Sequence, residues 1–230
     1  MKPEVIVMLT HNDITVPNAR EVFAESADLP LQFWGFKDAG VTSVEARRLV
    51  DDLKAAGKTA VFEVVTFEEE LLLDAARLAV DCGFDYFTGS SYSEAVRDIV
   101  QDAGMKYLPF SGAVGGSPIE LHGEQGEIVD DSARIVDNGA DGIDLVAYRY
   151  SDGDPVALAK ATIERVGAEK VVVAGSINSV ERIRLMQEIG PSAYTIGGAL
   201  FEGAFVEGGS FRDNLQQVIG LSASVTGKVK

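Results

Sequence analysis

Lys170-Val171-Val172-Val173-Ala174-Gly175-Ser176-Ile177-Asn178 and, after one intervening helix, Ala193-Tyr194-Thr195-Ile196-Gly197-Gly198-Ala199-Leu200-Phe201 decide the fold of this chain. Each is a short apolar run, closed by glycine, that passes into a helical pattern. Ser179 to Ile189, between them, reads as an amphipathic helix. Strand, helix and strand in so short a span make one crossover unit of a parallel sheet.

The same alternation extends back to the N-terminus. Expected strands are Val5 to Leu9, Leu31 to Phe36, Thr59 to Val65, Asp85 to Thr88, Lys106 to Phe110 and Gly142 to Ala147. Helical patterns follow at Val16 to Ala27, Ser43 to Ala56, Glu68 to Asp81, Ser91 to Ala103 and Pro155 to Val166. Ser43 is the expected N-cap of its helix, with Glu45 in the first turn and Gly57 past the end. A long Gly-rich connection, Ser111 to Gly126, leads to a helix ending near Asn138-Gly139, and Ser210 to Ile219 closes the set. Eight alternations in 230 residues imply an α/β chain folded as a single (β/α)8 TIM barrel. An open doubly wound sheet is the alternative. The expected domain is 1–221, with 222–230 as a flexible C-terminal tail.

Hydrophobic residues make up 46% of the chain and charged residues 24%, enough to supply a sizeable core. A formal charge of −16 repels phosphate backbones and anionic membranes, so neither nucleic acid nor a membrane is an expected partner. One cysteine, Cys82, rules out an internal disulfide and suits a reducing cytoplasm, where it reads as a packed, inert thiol. No signal-peptide pattern or membrane-length apolar run is present. The expected location is cytoplasmic, and a homodimer is the default assembly.

Glycines at the ends of the last two strands let main-chain N–H groups approach an anion, and barrels often bind phosphate there. Gly175, Ser176, Gly197 and Gly198 are therefore the expected phosphate contacts, although tight turns alone explain any one glycine. Lys37 and Glu63 stand at the ends of the second and third strands, where barrel enzymes carry reactive groups. Two mechanisms suit them. Lys37 forms a Schiff base with a substrate carbonyl, or Glu63 removes a proton beside that carbonyl while Lys37 stabilises the enolate. A structural ion pair is the plainer alternative. Asp13 is a further acid/base candidate or a helix cap, and Ser111 and Arg149 are candidate substrate contacts. Asp144 interrupts an apolar strand, with Arg149 as its plausible partner. His122 is either carried on a lid or solvated at the surface, and His11 is similar. Two histidines and one cysteine make no common zinc site, and no metal or cofactor is expected, although Asp13, Glu63 and Asp144 would suit Mg²⁺ if they converged.

The endings Ala174-Gly175-Ser176-Ile177 and Ile196-Gly197-Gly198-Ala199 resemble those of the ribulose-phosphate-binding barrel superfamily. That group includes pentulose-phosphate epimerases, indoleglycerol-phosphate synthase and several sugar-phosphate aldolases and decarboxylases. The stretches around Asn12-Asp13, Trp34-Gly35-Phe36-Lys37-Asp38, Phe62-Glu63-Val64-Val65 and Ala147-Tyr148-Arg149-Tyr150 are similar to an uncharacterised bacterial barrel family. Some members of that family carry the label 4-hydroxythreonine-4-phosphate dehydrogenase. A dehydrogenase of that name has a histidine metal site and bound NAD, whereas this chain has only His11 and His122 and no G-x-G-x-x-G opening a helix after a strand. Together these readings imply an isomerase, epimerase or aldolase (a lyase) of carbohydrate metabolism acting on a small phosphorylated sugar or keto-acid. A non-catalytic, phosphometabolite-binding or regulatory barrel is the rival.

Overall fold

Alternation of side chains along each strand sorts the apolar residues of the computed structural model, which describes residues 2–224, into two layers. Eight strands form one parallel sheet: β1 (Glu4–Met8), β2 (Phe33–Lys37), β3 (Thr59–Val64), β4 (Tyr86–Gly89), β5 (Lys106–Leu108), β6 (Ile143–Leu145), β7 (Val171–Val173) and β8 (Ala193–Ile196). Their order is β6-β7-β8-β1-β2-β3-β4-β5, and a parallel bridge between Phe110 and Asp144 joins the two ends. The sheet is a nearly closed TIM barrel.

Outward-facing Val5, Val7, Trp34, Phe36, Phe62, Phe87 and Tyr194 pack under the helices as the larger core. Inward-facing Ile6, Met8, Val61, Leu108, Val172 and Ala193 fill the barrel. Period-two alternation then turns Lys37, Glu63, Thr88 and Asp144 inward as well. The helices are α1 (Ala19–Ala24), α2 (Ser43–Ala55), α3 (Glu69–Cys82), α4 (Glu94–Asp102), α5 (Gln125–Asp137), α6 (Pro155–Val166), α7 (Val180–Ile189), α8 (Gly198–Phe201) and α9 (Phe211–Ser224). Among the described residues no helix is long and apolar enough to cross a membrane.

Several boundaries differ from expectation, each for a local reason. Thr42, not Ser43, caps α2: its hydroxyl accepts from the Glu45 amide while the Glu45 side chain accepts from the Thr42 amide. The helix expected from Val16 begins only at Ala19. Pro17 keeps Val16 extended, and the Val16 amide donates to the Leu9 carbonyl at 3.1 Å instead. The Gly-rich connection holds an antiparallel ribbon, Ala113–Gly115 with Glu120–His122. The start of the expected tail belongs to α9, where Ser222 is buried with its hydroxyl 2.9 Å from that of Tyr194. The rest of that tail, 225–230, lies outside the described residues. Cys82 is buried, which pushes its thiol above the usual range, as a packed thiol requires.

Candidate active site

A two-residue turn makes the roof of the site. Thr10–His11 and Ile14–Thr15 pair antiparallel, and Asn12 and Asp13 between them both have positive φ, 52° and 60°. Short polar side chains tolerate that backbone, which a type I′ hairpin demands. The hairpin folds back over the barrel mouth and is fastened to β2. The Thr15 hydroxyl donates to the Lys37 carbonyl at 2.7 Å and accepts from the Lys37 amide at 2.9 Å. Lys37 is thereby fixed at both main-chain groups.

Asp13 now faces the strand ends. Its carboxylate lies 2.8 Å from the Lys37 ammonium, which is 3.1 Å from Glu63 Oε1. Lys37 and Glu63 are each 5% exposed, and the β2–β3 register sets them side by side. Asp38 holds the β3 end in place by accepting from the Val65 amide at 2.9 Å. Burial alone would lower the lysine pKa, but the Glu63 and Asp13 carboxylates outweigh it and push the pKa up. Lys37 is an ammonium.

Arg149, on the 3₁₀ turn after β6, grips Asp13 from the other side, with Nη1 at 2.5 Å and Nη2 at 2.8 Å. Asp13 also accepts from the Ile119 amide at 3.2 Å, and Arg149 reaches the Ile119 carbonyl at 3.3 Å. The long connection is so pinned across the mouth. Burial would raise the Asp13 pKa, yet Arg149 and Lys37 together hold it far below the carboxylate range. A carboxylate with four donors around it suits holding two cations, not accepting a proton.

These groups line one side of a cavity of about 210 Å³. Its other side is the pair of glycine-rich turns, with Gly175, Ser176, Ile177, Asn178, Gly197 and Gly198. Gly175 and Ser176 have φ of 82° and 47°. The main-chain N–H groups of residues 175, 176, 177, 178 and 197 donate to nothing among the described residues. Glu202 also lines the cavity, and its carboxylate lies 3.2 Å from the His11 ring. Arg182 donates to the Ser176 carbonyl and lies over the Tyr148 ring, 4.5 Å from its centre.

Of the expected site residues, Lys37, Glu63, Asp13, Arg149, Gly175, Ser176, Gly197 and Gly198 therefore meet around one cavity. Ser111 does not: it is fully buried, and its hydroxyl has no hydrogen-bonding partner among the described residues. Nor does Arg149 pair with Asp144, because Asp144 points into the barrel while Arg149 sits on the turn above it. His122 lies away from the cavity, beside Ser151, Glu120 and Asp152, with half its side chain exposed. The Mg²⁺ arrangement fails on geometry, since the Lys37 ammonium occupies the space between Asp13 and Glu63. Among the described residues no three His, Cys, Asp or Glu side chains group as a metal site. Missed in the sequence were Thr15, Asp38 and Ile119. The Asn12-Asp13 pair is the local trace of the hairpin that carries Thr15, and it equally suits the polar end of a strand.

No protein-family model matches the chain, and no curated protein matches it. Solved structures do match. A native KDPGal structure superposes with a TM-score of 0.68 at 12% identity, covering 98% of this chain and 96% of its own. Orotidine 5′-phosphate decarboxylase from Pyrococcus horikoshii gives 0.66 at 10% identity, covering 97% and 100%. An N-acetylmannosamine-6-phosphate 2-epimerase from Clostridium perfringens gives 0.64 at 9% identity, covering 85% and 86%. These likenesses bear out the expected barrel fold.

Proposed function

We propose that this barrel is an enzyme that removes a proton beside the carbonyl of a small phosphorylated sugar or keto-acid, as an isomerase, epimerase or aldolase. One observation carries the reading: a buried ammonium between two carboxylates faces main-chain amides without partners across a cavity of about 210 Å³. The phosphate takes the amides of 175–178 and 197, which supply donors where the overall charge of −16 supplies repulsion. The substrate carbonyl oxygen lies toward Lys37. Glu63 spends Oε1 on Lys37 and is left with Oε2 for the proton.

Of the two mechanisms, the ionised state of Lys37 favours the enolate route. A Schiff base needs a free amine, and two carboxylates hold the proton on this one. As the C–H proton passes to Glu63, negative charge moves from that carboxylate to the substrate oxygen. It stays within reach of the same ammonium, so little reorganisation is needed. Asp13 and Arg149 hold Lys37 in place. One matching structure is named as a 2-epimerase of a phosphorylated sugar, a name that accords with this chemistry in kind.

The test is a panel of phosphorylated aldoses, ketoses and keto-acids incubated with the protein in D₂O and followed by NMR. Deuterium should enter at the carbon beside the carbonyl of at least one compound. Glu63→Gln should slow that exchange by about 10²–10⁴-fold, and Lys37→Met by about 10²–10³-fold. Borohydride should trap no covalent adduct at Lys37. Saturable binding of a compound without exchange in any of them would instead establish a binding or regulatory barrel.

A further inference from the structure

We propose that Asp144 is a positioning residue for this reaction: it carries a proton inside the barrel, so that the negative charge shared by two neighbouring carboxyls resides on Glu63. The inference rests on Glu63 being the base. Asp144 is the middle residue of β6, turned inward between outward-facing Ile143 and Leu145, and is 1% exposed. Neither of its carboxyl oxygens has a hydrogen-bonding partner among the described residues. Most buried carboxyls are paired or hydrogen-bonded, so this group needs an account.

The surroundings supply one. Among the groups acting on Asp144, Glu63 on β3 raises its pKa, whereas Lys37 on β2 and, more weakly, the nearby Thr88 hydroxyl on β4 lower it. Adjoining strand positions bring only Phe110 on one side and Val172 on the other. Lys37 acts on Asp144 only through space: its ammonium contacts Asp13 and Glu63, and among the described residues it makes no ion pair with Asp144. Burial first, and the Glu63 charge second, raise the Asp144 pKa well above the ordinary 3.8. A neutral carboxylic acid is the state this pocket accepts.

The consequence for the chemistry is a charge count. Lys37 and Arg149 balance Asp13 and Glu63, so the cavity floor is neutral before a substrate arrives. An ionised Asp144 would add a negative charge under the oxygen on which the enolate forms, and would draw the Lys37 charge away from it. Kept protonated, it leaves that charge for the substrate. In the forward step the C–H bond breaks, its proton joins Glu63, its electron pair becomes the C=C bond of the enolate, and the carbonyl π pair moves onto the oxygen. Asp144 keeps its own proton throughout.

Infrared spectroscopy of the ligand-free protein at neutral pH tests the protonation directly. A carboxylic-acid C=O band should be present, should shift when aspartate is ¹³C-labelled, and should be missing in Asp144→Asn. Labelling assigns the band to an aspartate, and Asp38→Asn, which should keep it, excludes the other aspartate whose pKa burial raises. The pH profile of the deuterium exchange then tests the role. Whatever the level of its turnover, Asp144→Asn should lack the alkaline limb that wild type shows where Asp144 ionises, and should hold its rate until Lys37 itself deprotonates. Absence of the band, or coincident alkaline limbs, overturns the proposal. A band that is present with Glu63→Gln still exchanging at the wild-type rate leaves Asp144 protonated and removes Glu63 as the base, so the two failures are told apart.

Discussion

Asp13 accepts hydrogen bonds from Lys37, twice from Arg149, and from the Ile119 amide, which makes it the most engaged side chain of the site. Removing its charge strands two cations. Asp13→Asn should cost about 3 kcal/mol or somewhat less, the usual figure for breaking a buried pair, reduced because Arg149 is 23% exposed and partly screened. The same contacts give stability a pH dependence of known sign. Folding lowers the Asp13 pKa from its ordinary 3.8, so the stabilisation is full above that value and is lost as the pH falls below it, towards the folded value. Urea midpoints from pH 7 down to about pH 3 should therefore fall more steeply for wild type than for Asp13→Asn. Parallel curves would mean that the carboxylate is not held as described. At this scale Lys37 and Glu63 were legible because each is a charged residue closing an apolar strand, and side-chain alternation aimed both inward. Asp13 was legible as a polar residue after a strand but not as a clamp, because a partner 136 positions away in the chain leaves no local mark.

The two glycine-rich turns behave as elements whose backbone is the functional part, and their three glycines are not equivalent. At Gly175 φ is 82°, and an added Cβ would lie 2.9 Å from Arg149 Cγ. At Gly197 it would lie 2.9 Å from the Thr10 hydroxyl and 3.0 Å from the Thr10 carbonyl. At Gly198 the nearest atom would be His11 Cδ2, at an ordinary 3.6 Å. Gly175→Ala should thus cost about 1–2 kcal/mol in backbone strain alone, and Gly197→Ala about 1–3 kcal/mol from overpacking. Gly198→Ala should stay within about 0.5 kcal/mol of wild type, because the added methyl meets only ordinary van der Waals contacts. Thermal midpoints rank the three variants, and equal losses at Gly197 and Gly198 would contradict the packing. Both turns could be read in advance because glycine after a β-branched run is a strong local signal. The hairpin over the mouth could not, since strands of two residues carry no periodicity and Asn12-Asp13 equally suits the polar end of a strand. Ser111 misled for a related reason: it follows a strand, but its position on the ring turns it into the protein interior.

Across the whole molecule the barrel was legible because eight strand–helix units repeat, whereas the thinness of its seam was not. Strand β5 has three residues, and Pro109 beyond it has no amide to give, so the seam holds few main-chain bonds: the Phe110–Asp144 bridge, with the Asp144 amide donating to the Pro109 carbonyl at 2.9 Å, and the Asp141 amide donating to the Tyr107 carbonyl at 3.0 Å. Charge is the other property of this scale. With 36 acidic and 20 basic side chains, the surface ion pairs, such as Arg20–Asp52 and Arg212–Asp28, leave many carboxylates without a cation. Salt acts on both populations in opposite directions. It weakens exposed pairs worth about 0–1 kcal/mol each, and it screens repulsion among the excess acids, which at about 10 mM salt act over a Debye length of roughly 30 Å. Repulsion is the longer-ranged effect and is shared among more groups, so screening should win. The thermal midpoint should rise as NaCl goes from about 10 mM to about 150 mM, where the Debye length shrinks to roughly 8 Å. A midpoint that falls over that range would show that the ion pairs outweigh the repulsion, and that the acidic exterior is better neutralised by its own lysines and arginines than a charge of −16 implies.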